Sequence, residues 1–245
     1  MIKENKIANA VQAGNNDAQV KKMEKDTQIK VDTYNWGPCV IKLKILDNFK
    51  KLLLDEAEKN KAGFYGDGDY RHKLAGQLDT EIGYSQESKD VLGPELAKYL
   101  GVYDQMFQKF QNKKYETSPH YALTALWINY QRKHEFNPPH DHDGALSFVI
   151  YLDIPEALHK ENKEYIGKSC GPGGIQFIYG EGNRQAITYM SEIPTTGDMF
   201  VFPAWLKHWV SPFHSDVTRI SVSGNVHDKV PISTLPKNFK VRPAP

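Results

Sequence analysis

The stretch NPPHDHDGALSFVIYL, from Asn137 to Leu152, decides the reading of this chain. Its second half, from Ala145 onward, is a continuous apolar run rich in β-branched and aromatic residues, bounded by glycine before it and aspartate after it. That composition predicts a strand. Its first half places His140 and His142 two residues apart just before that strand. On an extended backbone, residues i and i+2 project to one face, so both imidazoles can reach a single metal ion.

Working outward, a second histidine-bearing stretch, GDMFVFPAWLKHWVSPFHSDVTRISVSGNV, runs from Gly197 to Val226. His208 follows the predicted strand DMFVF, where a third ligand from an opposed strand would come. In RISVSGNV, Arg219, Ser221 and Ser223 share one face and Ile220 and Val222 the other. An arginine facing inward from such a strand requires an anionic partner, because an unpaired buried charge is very costly. A bound dicarboxylate supplies one bidentately.

Around these stretches the text is strand-like from Tyr121 onward: YALTALWINY, ALSFVIYLDI, IQFIY, QAITYM, DMFVF and RISVSGNV, punctuated by proline and glycine. Upstream, CVIKLKIL predicts a half-exposed strand. Asp47 then offers an N-cap to the helical pattern NFKKLLLDEAEKNKAG, which stops at Gly63. Phe64 to Ser88 is polar and glycine-rich and is expected to be a loop. A second amphipathic helix follows with Leu96, Leu100, Tyr103, Phe107 and Phe110 on its stripe, broken or bent near Gly93-Pro94.

The expected fold class is α+β, mainly β: strands closing into a sandwich or barrel with N-terminal helices packed outside. Residues 1–35 are expected to be a polar arm, and 36–245 a single domain with helical support over 47–115 and a β core over 121–226. Lysine plus arginine (31) balance aspartate plus glutamate (30), so the net charge of +1 offers no electrostatic footprint for nucleic acid or an anionic membrane. With no long apolar run and no signal-peptide pattern, a soluble cytoplasmic protein is expected. Cys39 and Cys170 fit reduced thiols better than a disulfide. The partner is expected to be a small-molecule or peptide substrate, and the oligomeric state, a homodimer included, stays open.

The order of these elements carries a resemblance. A tyrosine strand, PHDH, a strand LSFVIYL, then GDMFVFPAWLKHWV and RIS together resemble the 2-oxoglutarate- and Fe(II)-dependent oxygenases, most of all their prolyl-hydroxylase-like branch, over roughly Leu123 to Val226. The resemblance implies a double-stranded β-helix, the jelly-roll or cupin-like barrel. It implies a dioxygenase of hydroxylase type that uses Fe(II), 2-oxoglutarate and O2. It implies iron ligation by His140 and His208, and Arg219 with Ser221 holding the remote carboxylate of 2-oxoglutarate. Tyr130 matches a strand position that contacts the same co-substrate.

The chain departs from the commonest ligand set, two histidines and a carboxylate, because His142 stands where the carboxylate is expected. Side-chain direction favours His142 as third ligand, with Asp141 or Asp143 the alternative through an altered turn. Two other readings remain beside the oxygenase. One is a cupin-type three-histidine metal dioxygenase that does not use 2-oxoglutarate, and the other is a noncatalytic jelly-roll binding domain. The segments expected to cover the mouth are Phe64 to Ser88, HKENKEYIGKSCGPGG and YGEGNRQ.

Overall fold

A computed structural model describes residues 37–61, 68–111, 121–182 and 188–228. The N-terminal arm expected over residues 1–35 lies outside the described residues, as do parts of the two glycine-rich segments around residues 64 and 183.

The strand predicted from LSFVIYL forms as β5 (Leu146–Asp153), and every residue from Leu146 to Leu152 is buried. Both its faces are covered, which is why its sequence, Ser147 apart, is apolar from Leu146 to Leu152 instead of alternating. It lies inside a six-stranded antiparallel sheet of order β1-β8-β5-β10-β3-β2. The other members are β1 (Ile41–Lys44), β2 (Glu81–Gly83), β3 (Tyr121–Gln131), β8 (Asp198–Pro203) and β10 (Arg219–Asp228). A four-stranded sheet of order β4-β9-β6-β7 comprises β4 (Asn137–His140), β6 (Ile175–Ile178), β7 (Tyr189–Glu192) and β9 (Lys207–Val210).

One face of the large sheet is covered by α1 (Asp47–Lys61) and α2 (Gln86–Gln111). Phe49, Leu53 and Ala57 recur every four residues on α1, and Leu92, Leu96 and Leu100 do so on α2. Those stripes join Ile128, Phe148, Ile150 and Val222 from the sheet in one core. Asn60 ties the helices together: its Nδ2 donates to Ser88 Oγ and its Oδ1 accepts from the Ser85 backbone N–H, each at 2.8 Å. The opposite face packs on the small sheet, with Val149, Tyr151, Phe200 and Phe202 meeting Ile175, Phe177 and Val210. A mostly β architecture with helices outside is therefore present. Gly224 in β10 is required by closeness, since a Cβ there would stand 2.5 Å from Phe148 Cζ and 2.7 Å from the Ala125 carbonyl oxygen.

The structure corrects several local expectations. The stretch Phe64 to Ser88 is not one loop: it holds a 3-10 turn at Arg71–Lys73, the short strand β2 and the first residues of α2. The helix expected to be broken or bent near Gly93-Pro94 is not broken there and runs from Gln86 to Gln111 through Pro94. The segment HKENKEYIGKSCGPGG contributes most of α3 (Glu156–Glu164), so it is only partly a connection. β4 and β9 were not apparent in the pattern, β4 because two of its four residues are prolines, tolerated on a sheet edge. Cys39 and Cys170 are free and buried. No helix among the described residues is long and apolar enough to cross a membrane.

Candidate metal centre and anion site

β4 and β9 pair antiparallel with His140 directly opposite His208. Directly opposed residues project to the same face of a sheet, so the two rings meet, with centroids 4.3 Å apart. Just past β4, the His142 backbone N–H donates to the Ala204 carbonyl at 2.9 Å, which turns its ring in beside the others. The His142 centroid lies 4.9 Å from that of His140 and 5.2 Å from that of His208. The ligand atoms of His140, His142 and His208 all lie within 4.8 Å of one another.

Two of the rings are fixed through one nitrogen. His140 Nδ1 bonds the Pro138 carbonyl at 2.6 Å and His208 Nδ1 bonds the Leu206 carbonyl at 2.9 Å. A carbonyl only accepts, so Nδ1 carries the proton in each and Nε2 keeps a free lone pair for a metal. Phe177 and Phe202 wall His208. Burial pushes all three imidazoles below their ordinary range, His142 to about 4 and His208 to about 3, so they stand neutral near pH 7, as ligation demands. Asp141 and Asp143 are exposed, and Asp141 meets Lys207 Nζ at 3.3 Å. The donor set the fold presents is three imidazoles.

Arg219 lies in the same cavity, on the facing sheet. It is 2% exposed, and no carboxylate pairs with it among the described residues. Its Nη1 donates to the Gly173 carbonyl at 2.8 Å, its guanidinium carbon sits 5.2 Å from the Tyr151 ring centroid, and its Nε is buried without a partner. Burial pushes the guanidinium below its usual range, and the Tyr151 hydroxyl up to about 12, so the latter remains a proton donor. Ser221 is two residues along the same inward face, and Asn129 Nδ2 donates to its Oγ at 3.3 Å. An orphaned buried cation beside hydroxyl donors is what a carboxylate would complete. The three-histidine set fits a divalent transition metal, and the Arg219 corner fits the far end of a diacid chelate. Leu74, Ala75 and Gly76 form part of the wall of the same cavity.

The structure does not bring Tyr130 to this cavity. Tyr130 pairs with Ile220 and packs on the helix-side core, with Lys61 Nζ 5.3 Å from its ring centroid. Its strand neighbours Asn129 and Gln131 take the inward face instead, because side chains alternate along a strand. Tyr151, Asn129 and Glu81, which were not singled out in the sequence, line or border the site. The signal for Asn129 was present: Trp127, Asn129 and Gln131 alternate with Ile128 and Tyr130 just as Arg219, Ser221 and Ser223 alternate with Ile220 and Val222. Trp127 lines the cavity, 5.8 Å from His142, whereas His214 packs edge-on against His134 away from the cluster.

A family model described as "Putative 2OG-Fe(II) oxygenase" matches residues 125–225, a span that holds the three histidines, Arg219 and Ser221. The resemblance carried by the sequence motifs is thereby borne out. No curated protein sequence matches the chain. Among solved structures, a Pseudomonas putida prolyl-4-hydroxylase is 13% identical and aligns with a TM-score of 0.46, covering 78% of this chain and 93% of that one. A 2OG-Fe(II) oxygenase family oxidoreductase from Burkholderia pseudomallei is 14% identical at a TM-score of 0.45, covering 77% and 85%. The viral collagen prolyl hydroxylase of Paramecium Bursaria Chlorella virus-1, solved with 2OG, is 12% identical at 0.44, covering 76% and 94%.

Proposed function

We propose that this chain is an Fe(II)- and 2-oxoglutarate-dependent dioxygenase of hydroxylase type, built on a double-stranded β-helix. The observation that carries the reading is the joint presence, in one cavity, of a three-imidazole cluster and a buried arginine with no counter-ion among the described residues. The cluster alone would suit a cupin-type metal dioxygenase equally well. A guanidinium kept in the interior without a carboxylate favours an oxygenase that takes a diacid.

In this reading His140, His142 and His208 hold the iron, two of them through Nε2. Arg219 binds the far carboxylate of 2-oxoglutarate through Nε and a terminal nitrogen. Ser221 Oγ and the Tyr151 hydroxyl donate to the same group. Phe177, Phe202 and Val149 exclude water from the metal side. When bound, iron with 2-oxoglutarate and O2 supplies a two-electron oxidation of a substrate C–H bond, coupled to release of succinate and carbon dioxide. The protein's contribution is orientation: the Arg219 anchor fixes which end of the diacid faces the histidines.

Titration of Mn(II)-loaded protein with 2-oxoglutarate tests this. Saturable binding that weakens at least tenfold in Arg219→Ala supports the reading. Metal binding without any 2-oxoglutarate binding would favour the cupin-type alternative.

A further inference from the structure

The inward face of the large sheet carries a continuous row of side chains across four strands. Tyr151 on β5 pairs with Ser221 on β10, Ser221 with Asn129 on β3, and Asn129 with Glu81 on β2. Directly paired residues share a face, so Glu81 points into the cavity that holds the histidines. At the usual strand spacing Glu81 lies roughly 10 Å from Ser221 across the sheet, at the end of the row remote from β5.

Glu81 is a carboxylic acid that the proposed chemistry does not use. It is 1% exposed, and its Oε2 is buried without a hydrogen-bond partner. Other buried carboxylates among the described residues are satisfied. Glu56 receives Lys59 Nζ and Ser88 Oγ, and Asp198 receives Lys42, Lys44 and Thr195. A structural role would have given Glu81 similar partners, since a buried acceptor without a donor is costly.

We propose that Glu81 binds the substrate that is oxidised, and that this substrate carries an ammonium or guanidinium group. The proposal rests on the dioxygenase reading, in which the diacid takes the Arg219 end and leaves the Glu81 end for the second ligand. The surroundings favour a cation over a neutral donor. Burial chiefly pushes its carboxyl up to about 7; Glu135 and, less, Asp69 add charge of the same sign, and Arg71 opposes them. A bound cation relieves that repulsion. Trp127 supplies an aromatic wall to the same cavity, suited to an alkylammonium or a guanidinium plane. Asn137 lies close by: a Cβ on Gly76 would stand 2.1 Å from Asn137 Oδ1 and 3.1 Å from Glu81 Oε1. Glycine at 76 thus lets the backbone approach both polar groups closely.

The test uses the full chain loaded with Mn(II) and 2-oxoglutarate, with paramagnetic broadening of probe protons in solution NMR as readout. Butylammonium and butylguanidinium are compared with the neutral isostere 1-pentanol, and free lysine with an N-acetyl-lysine-amide probe to separate a small-molecule amine from a side chain. The expected result is broadening by the cations and not by pentanol, reduced roughly ten- to hundredfold in apparent affinity by Glu81→Gln. Equal broadening by pentanol, no broadening by either cation, or an undiminished effect in a Glu81→Gln protein with wild-type circular dichroism would overturn it. The comparison of cation with isostere in wild-type protein needs no variant. Broadening of the 2-oxoglutarate protons themselves, in the same samples, reports separately on the dioxygenase reading.

Discussion

His140 and His208 face each other across the β4–β9 pairing, and each bonds the carbonyl two residues before it through Nδ1, at 2.6 and 2.9 Å. One local device, repeated on two opposed strands, thus sets the same tautomer in both rings and aims both Nε2 atoms at a common point. An ion held there links the two strands.

His208→Ala or His140→Ala should therefore lower Mn(II) affinity by about a hundredfold or more, because one ligand and the ring that orients the pair are lost together. Elemental analysis and the metal-induced rise in melting temperature give the measure. Asp141→Asn should leave affinity within about threefold, since that carboxylate faces Lys207 at the surface.

Arg219→Met separates binding from stability. The buried guanidinium has one backbone acceptor and no anion among the described residues, so an apolar side chain of similar length is expected to leave the ligand-free melting temperature unchanged or higher. The same variant should lose 2-oxoglutarate binding by tenfold or more in calorimetry. Arg219→Lys should also bind poorly, as a point charge does not reproduce a planar fork.

Metal-free protein should respond to pH with two opposite signs. His142 and His208 titrate at about 4 and about 3 in the folded state against an ordinary 6.5, so the unfolded chain binds more protons between those values and stability falls as pH drops below 6.5. Glu81 titrates at about 7 against an ordinary 4.5, so the folded state binds its proton more tightly and stability falls as pH rises from 4.5 through 7. Glu81→Gln should remove only the second slope, raising stability at pH 8 relative to pH 5 by about 1–3 kcal/mol. Urea unfolding at the two pH values decides it.

Gly224→Ala should destabilise by about 2–4 kcal/mol, because the added carbon meets Phe148 and a backbone carbonyl in a packed core. A fall in melting temperature without loss of metal content in the remaining folded fraction is the expected pattern.

What the sequence disclosed follows from how each element is buried. β5 was legible because it is covered on both faces, and β10 because its polar and apolar residues alternate. β2 was not, since three residues at a sheet edge set no period, and so Glu81 was hidden in a stretch that read as polar loop. The histidine pair and His208 stood out as residue types whose clustering is uncommon. Tyr130 was placed by analogy of position, whereas the parity of WINYQ put Asn129, not Tyr130, on the inward face. The ambiguity between His142 and its flanking aspartates could not be resolved from spacing alone; the bond from His142 N to the Ala204 carbonyl orients that turn.

The most direct measurement is the visible spectrum of the protein under anaerobic conditions with Fe(II) and 2-oxoglutarate. A metal-to-ligand charge-transfer band is predicted for the wild-type protein, needing much more 2-oxoglutarate in Arg219→Ala and vanishing in His208→Ala. Folded, iron-loaded wild-type protein that develops no such band at saturating 2-oxoglutarate would contradict the account.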